Sequence, residues 1–364
     1  MLFFYYLKIK KVLFFCPYPY DGNRKGTRPM EQRFDTAVCV VCDRLRLLLN
    51  QIPQRMKEQA HEIRMRVHGP LTLVLADTIL FVNENGPPSL RLGEDTVKIT
   101  KEDLLETFAK LCDYSVYTYQ NEIKNGYITY RGGHRVGICG TAVTDGETIA
   151  NLRDISSMNV RIARQIYGAS SELIQKLGNR LGEGLLLAGP PACGKTTLLR
   201  DICRQISQGV LKNRRKVAVV DERGELAATY CGEPQNDLGP CCDVLDGYPK
   251  GEGILQAIRC LSPSVVVCDE IGSREEIEAV QQGINAGVSL IASIHAGSLE
   301  QLLQRPQGKA LLETGAFPWV AMMDNTGKFG TVTGIFKAGE LLDQISGDSS
   351  PSHNVGNRRL YRVL

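Results

Sequence analysis

Apolar positions change their spacing along this chain, and the change divides it. Over residues 33–54 they follow a helical period, with leucines at Leu45, Leu47, Leu48 and Leu49. Over 61–67, Ile63, Met65 and Val67 alternate with Arg64 and Arg66, which predicts a strand with one apolar face. Residues 71–76 and 78–82 predict a strand pair about Asp77. The amphipathic stretch 101–112 predicts a helix, with Thr100 as its cap and Asp103 at the third position. Residues 127–130 and 135–143 predict strands around the Gly132-Gly133 turn, and 158–162 predicts another. The sum is an α+β domain ending near Gln165, without repeats or low-complexity tracts.

From Ser170 onward the rhythm becomes strand, helix, strand, helix, which predicts a parallel sheet. Short apolar runs mark strands at 185–188, 217–220, 265–268 and 289–293, with helices beginning near Thr196, Glu252 and Arg274. Ser273 and Glu276 form a capping-box pair, and Ile277, Val280 and Ile284 give that helix one apolar face. Residues 317–323 and 331–336 predict a closing β pair. Residues 343–364 are rich in Ser, Pro, Asn and Arg and predict a loose tail. The expected division is an extension at 1–29, an N-terminal domain at 30–165, a second domain at 166–338 and a flexible tail at 339–364.

The first strand of the second domain runs into Gly189-Pro190-Pro191-Ala192-Cys193-Gly194-Lys195-Thr196, followed by Thr197 and a helical pattern. This fits G-x-x-x-x-G-K-[ST] at every fixed position, in the strand–loop–helix context the motif needs. Backbone N–H groups and a positive helix end would surround one anion. Lys195 would reach the outer phosphates, and the Thr196 hydroxyl would sit on Mg²⁺. The ligand expected from the loop is a nucleoside triphosphate with Mg²⁺.

The other parallel strands also end in polar residues: Asp221-Glu222-Arg223, Asp269-Glu270 and Ser293-Ile294-His295. Ligands of open α/β sheets sit at the carboxyl ends of the strands, so these clusters predict one site. Asp269 is the expected Mg²⁺ carboxylate, and Asp221 is expected beside the nucleotide. Glu270 or Glu222 would polarise the attacking water, since phosphoryl transfer asks mainly for positioning and charge. His295 would hydrogen-bond the γ-phosphate and report its loss.

Composition narrows the class. A length of 364 residues allows about two domains. With 43% hydrophobic and 23% charged residues the chain reads as a globular protein, and a net charge of +3 gives no argument for nucleic acid. The 12 cysteines form no compact framework, so reduced thiols in a cytosolic protein are expected. Cys39-x-x-Cys42 is the one metal- or redox-like pair and has no second pair at zinc spacing. Residues 2–15 are apolar but broken by Lys8, Lys10 and Lys11, too short to span a bilayer, and unlike a secretory signal. They read as an upstream extension with Met30 the natural start, or alternatively as a segment touching a membrane surface.

The order of phosphate loop, Asp-Glu box, Asp-Glu pair and His box resembles the secretion ATPases of type II and type IV secretion and pilus motors. More closely, the chain is similar to the stage III sporulation AA family. The matching residues are Glu62-Ile63-Arg64, the run from Gly132 to Gly137, Asn159-Val160-Arg161-Ile162-Ala163-Arg164, Asp221-Glu222-Arg223-Gly224-Glu225 and the run from Ser293 to Gly297. The likeness spans roughly residues 51–337. It implies an α/β, RecA-like P-loop ATPase domain with a mainly parallel sheet, preceded by a smaller α+β domain. It further implies a cytoplasmic ATPase, a homo-oligomer forming a hexameric ring, serving membrane channel proteins between mother cell and forespore, with indirect membrane association. In such motors arginines complete a nucleotide site between the two domains, and Arg135, Arg161 and Arg164 hold matching positions, with Arg223 a further candidate. No nucleic acid is expected as a partner. A nucleic-acid motor and a non-catalytic nucleotide switch are the competing readings.

Overall fold

The computed structural model describes residues 30–346 apart from 77, 147 and 326–329. The expectations for 1–29, including the Met30 start, lie outside the described residues.

The helical stretch at 33–54 is not one helix. It breaks into Met30–Val38 and Asp43–Asn50, with Gln54–Gln59 beyond. Asp43 leads the second helix, placing a carboxylate at its positive end. Leu45 and Leu49 face the core, while Leu47 is exposed. Cys39 and Cys42 both lie within the break, and their thiols have separate partners. The Cys39 thiol bonds to Asp35 O, and Cys42 Sγ lies 3.3 Å from Asp103 Oδ1. Burial pushes the Cys42 thiol up to about 11.

The first sheet comprises β1 (Glu62–Arg66), β2 (Thr72–Val74), β3 (Ile79–Phe81), β4 (Tyr127–Tyr130), β5 (His134–Asp145) and β6 (Thr148–Arg161). Its order is β3-β2-β1-β6-β5-β4, and every pairing is antiparallel. Ile63 and Met65 point into a core shared with Leu45, Leu104 and Val160. Their arginine neighbours point away, as the period-2 pleat requires. The helix Lys101–Leu111 carries the reciprocal Thr100–Asp103 capping box. β5 lies close to its predicted span, β6 begins ten residues before its own, and the two form a long hairpin whose outer residues are mostly exposed.

The second sheet comprises β7 (Leu185–Gly189), β8 (Val217–Asp221), β9 (Cys242–Asp246), β10 (Val265–Cys268), β11 (Ser289–His295), β12 (Trp319–Met323) and β13 (Val332–Lys337). Its order is β13-β12-β7-β11-β10-β8-β9, parallel except for the terminal β12–β13 pair. Alternation sorts its residues onto two buried faces. Leu185, Leu187, Val217, Val219, Val265 and Val267 pack against Leu198, Leu199, Ile202 and Ile206 of the helix Lys195–Gln208. Leu186, Ala188, Ala218, Val220, Val266 and Cys268 pack on the opposite side against Ile254, Ala257 and Val280. Burial on both faces explains why these strands read as continuous apolar runs.

β9 was not predicted, and neither were the helices Ser171–Leu177, Leu299–Gln304 and Pro306–Glu313. The tail expected from 339 begins instead with a helix, Ala338–Ser346, because Leu341 and Leu342 pack onto the second sheet's core.

Candidate nucleotide site

The sheet order makes β7, β11, β10 and β8 consecutive neighbours, so the polar residues after them line one edge. His295 pairs with Gly189 across β11 and β7, and Cys268 pairs with Val220 across β10 and β8. Asp269 and Asp221 follow that last pair directly.

β7 delivers the chain to Gly189, where a Cβ would sit 2.7 Å from Cys193 Sγ and 3.0 Å from Met323 Cβ. Only glycine lets the loop turn this tightly over the sheet. Gly194, at φ 104°, then starts the helix Lys195–Gln208 from a conformation that L side chains rarely adopt. Ala192 also takes a positive φ, 59°. Cys193 is buried beneath the loop, and Asn325 Nδ2 donates to Pro191 O at 3.2 Å. Thr197 lies in the first turn of the helix.

The Lys195 side chain folds back over this loop. Its Nζ donates to Gly189 O at 3.1 Å and Pro190 O at 2.8 Å, and lies 3.0 Å from His295 Nδ1. Thr196 Oγ1 donates to Asp269 Oδ2 at 2.6 Å. Ser293 Oγ bonds the other oxygen of Asp269 and accepts from Glu270 N at 3.0 Å. Mg²⁺ takes hard oxygen ligands, one or two from protein with the rest from phosphate and water. The adjacent Thr196 hydroxyl and Asp269 carboxylate are a donor pair of that kind.

Glu270 stands at the centre of the edge. Its Oε1 is 2.6 Å from His295 Nε2, and its Oε2 accepts from Arg223 Nη1 at 3.2 Å. The backbone of Glu270 is left-handed, φ 50°, and both of its peptide groups are held: N by Ser293 and O by Lys250 Nζ at 2.9 Å. Asp221, Glu222, Arg223, Lys250, Asp269 and Glu270 line one small cavity there.

Asp221 and the three expected arginines all have partners within this chain. Asp221 borders this cavity, but its carboxylate is engaged by its own loop. Oδ1 accepts from Glu225 N at 2.8 Å, and Oδ2 from Leu226 N at 3.0 Å and Ala227 N at 2.7 Å. Three amides take most of its acceptor capacity, so this carboxylate organises the loop that borders the cavity. Of the three expected arginines, only Arg135 reaches the rim. Its guanidinium donates to Arg223 O at 3.1 Å, lies 3.6 Å from Glu225 and stacks on Tyr127. Arg161 lies 3.7 Å from Glu62 on the first sheet. Arg164 donates to Glu58 O at 3.0 Å and Ala60 O at 2.8 Å, tying down the end of the helix Gln54–Gln59. Burial lowers the Arg164 pKa.

The candidate side chains thus come from the carboxyl ends of β7, β8, β10 and β11 and from the first turn of the helix Lys195–Gln208, and they contact one another. The sequence model for "Sporulation stage III, protein AA" matches residues 31–342. The chain belongs to the sporulation stage III protein AA family. It is 38% identical over 311 residues to stage III sporulation protein AA of Bacillus subtilis (strain 168), covering 85% of this chain and 97% of that protein. It is 28% identical over 206 residues to the uncharacterized protein ycf45 of Porphyra purpurea, covering 55% of this chain and 34% of that one. Among solved structures, the ATPase DotB of Legionella pneumophila is similar with a TM-score of 0.50 and 13% identity, over 91% of this chain and 86% of that one. At that identity the likeness is one of fold: the α/β, RecA-like architecture of secretion ATPases. No helix among the described residues is long and apolar enough to cross a membrane.

Sequence reasoning missed three contributors to this family member's site. Lys250 opens the helix Lys250–Leu261 directly after Pro249, and no motif marks it. Ser293 lies in the His box, but its bonds to Asp269 and Glu270 need the register of β10 and β11 to be seen. Arg200, on the phosphate-loop helix, donates to Glu225 O at 2.8 Å and Leu226 O at 3.1 Å, holding the Asp221 loop from its other side.

Proposed function

We propose that this protein is a Mg²⁺-dependent ATPase of the secretion-motor type, acting as a homo-hexamer that energises a membrane channel complex between mother cell and forespore. Lys195 and the loop amides would hold the triphosphate, Thr196 and Asp269 the metal ion, and Glu270 the attacking water, with Glu222 nearby. When bound, Mg²⁺ supplies charge neutralisation for the phosphoryl oxygens. The protein side chains supply placement of the nucleophile and dry, directed dipoles.

The observation that carries this reading is a continuous path of contacts. It runs from Lys195 to His295 at 3.0 Å, to Glu270 at 2.6 Å, to Arg223 at 3.2 Å, and from Arg223 O to Arg135 of the first sheet at 3.1 Å. A phosphate that draws Lys195 away alters the partners of His295 and Glu270. Their change reaches Arg135 through Arg223. Such a path would let hydrolysis move the N-terminal domain against the ATPase core. Assembly mass with a non-hydrolysable ATP analogue tests the motor: a closed ring supports it, and a monomer in every nucleotide state argues for a switch.

One observation favours a second reading, a nucleic-acid motor. Arg64, Arg66, Arg135 and Arg161 border a cavity of about 340 Å³ on the first sheet, with Tyr127 beside them. Stimulation of ATP hydrolysis by single-stranded DNA or RNA would select that reading.

A further inference from the structure

The site contains a buried lysine with no place in the phosphate-loop chemistry. Lys250 is the first residue of the helix Lys250–Leu261 and is 7% exposed. Its Nζ donates to Glu270 O at 2.9 Å, and lies 3.3 Å from Glu222 Oε2 and 3.5 Å from Glu276 Oε1. A buried ammonium is retained only where its charge and donors are satisfied. Here the two carboxylates supply the charge, and the Glu270 carbonyl takes one N–H.

The three partners come from three elements. Glu222 follows β8, Glu270 follows β10, and Glu276 lies in the first turn of the helix Arg274–Asn285. Glu276 is fixed independently: its Oε2 accepts from Gly272 N at 2.7 Å and Ser273 N at 2.9 Å. Lys250 therefore hangs from a rigid anchor and pulls on both glutamates expected to handle water. Its grip on Glu270 falls on the backbone rather than the carboxylate. Glu270 is a non-glycine residue at φ 50°, a strained conformation that persists only where neighbours impose it. Ser293 holds the N–H of this residue and Lys250 its C=O, and between them the side chain is aimed at His295 and Arg223.

We propose that Lys250 is the positioning residue for the hydrolytic step. It fixes the Glu270 backbone in its left-handed conformation and holds Glu222 beside it, so that the Glu270 carboxylate meets the attacking water. This rests on the ATPase reading above and adds to it a residue outside every phosphate-binding motif.

The test uses full-length protein in three forms: wild type, Lys250→Met and Lys250→Arg. ATP affinity is measured by equilibrium titration and turnover by phosphate release with Mg²⁺. Lys250 touches neither the loop nor Thr196, so Lys250→Met should bind ATP within about threefold of wild type while kcat falls at least about thirtyfold. Lys250→Arg, which keeps charge and donors, should recover a substantial part of that loss. In a Glu270→Gln background, Lys250→Met should add little, because the two changes disable one device. If Lys250→Met does not fold, Lys250→Gln is measured against the same expectations. A folded variant with near-wild-type kcat overturns the proposal, as does a loss carried by affinity, or a full additional loss in the Glu270→Gln background. A wild-type protein that binds ATP without releasing phosphate overturns the ATPase reading instead, and with it the premise of this one.

Discussion

Lys195 Nζ and His295 Nδ1 lie 3.0 Å apart, joining the phosphate loop to the end of the neighbouring strand. The other bonds of the lysine go to carbonyls of its own loop, at Gly189 and Pro190. Its side chain therefore organises a site and contributes little to either sheet's core.

Lys195→Ala should leave the fold intact and remove ATP binding. Losing a charge-assisted contact to phosphate weakens affinity by roughly two decades or more. Titration with ATP reads the affinity, and thermal unfolding reads the fold. A collapsed variant would mean that the lysine is structural.

Glu270→Gln should keep ATP affinity and slow phosphate release by about 100-fold or more, the range for removing a positioned general base. Glu222→Gln should cost less, since Glu222 is held at the cavity wall by Lys250. Normal turnover in Glu270→Gln with a large loss in Glu222→Gln would exchange the two roles.

Asp221→Asn should act on stability before chemistry. The carboxylate accepts three backbone N–H groups, and an amide presents an NH₂ to at least one of them. The expected cost is about 1–3 kcal/mol by urea unfolding. Unchanged stability with lost ATP binding would return Asp221 to the role the sequence suggested.

His134 predicts an acid weakness. It is fully buried, its Nδ1 accepts from Ala163 N at 3.0 Å, and burial, with Arg33 adding to it, lowers its pKa to about 3. The unfolded chain therefore binds this proton more readily than the folded one. Stability from the neutral ring is full above the unfolded value near 6.5 and is lost as pH falls towards 3. Between pH 7 and pH 5 the loss is about 2 kcal/mol. Denaturant unfolding at both pH values should show that difference in wild type and a smaller one in His134→Gln; equal differences would mean that His134 does not titrate on unfolding.

What could be read in advance follows from what the physics marks. β7, β8, β10 and β11 announced themselves because strands buried on both faces are apolar throughout. β9, an edge strand reading Cys-Asp-Val-Leu-Asp, carries no such run. The outer part of β6 was invisible because its residues are mostly exposed, so no apolar face marks it. At the site, Lys195, Thr196 and Asp269 were legible from motif and strand end. The three amides that hold Asp221 were not legible, because a carboxylate after a strand looks the same in sequence whatever its partners. Lys250 was missed because its three partners come together only through the fold.

If this edge of the sheet hydrolyses ATP, the purified protein releases phosphate from Mg²⁺-ATP, and that release can be measured. Wild type should show steady turnover, which should disappear in Lys195→Ala and fall about 100-fold in Glu270→Gln. Equal rates in all three proteins, or tight ATP binding by wild type with no phosphate released, would contradict it.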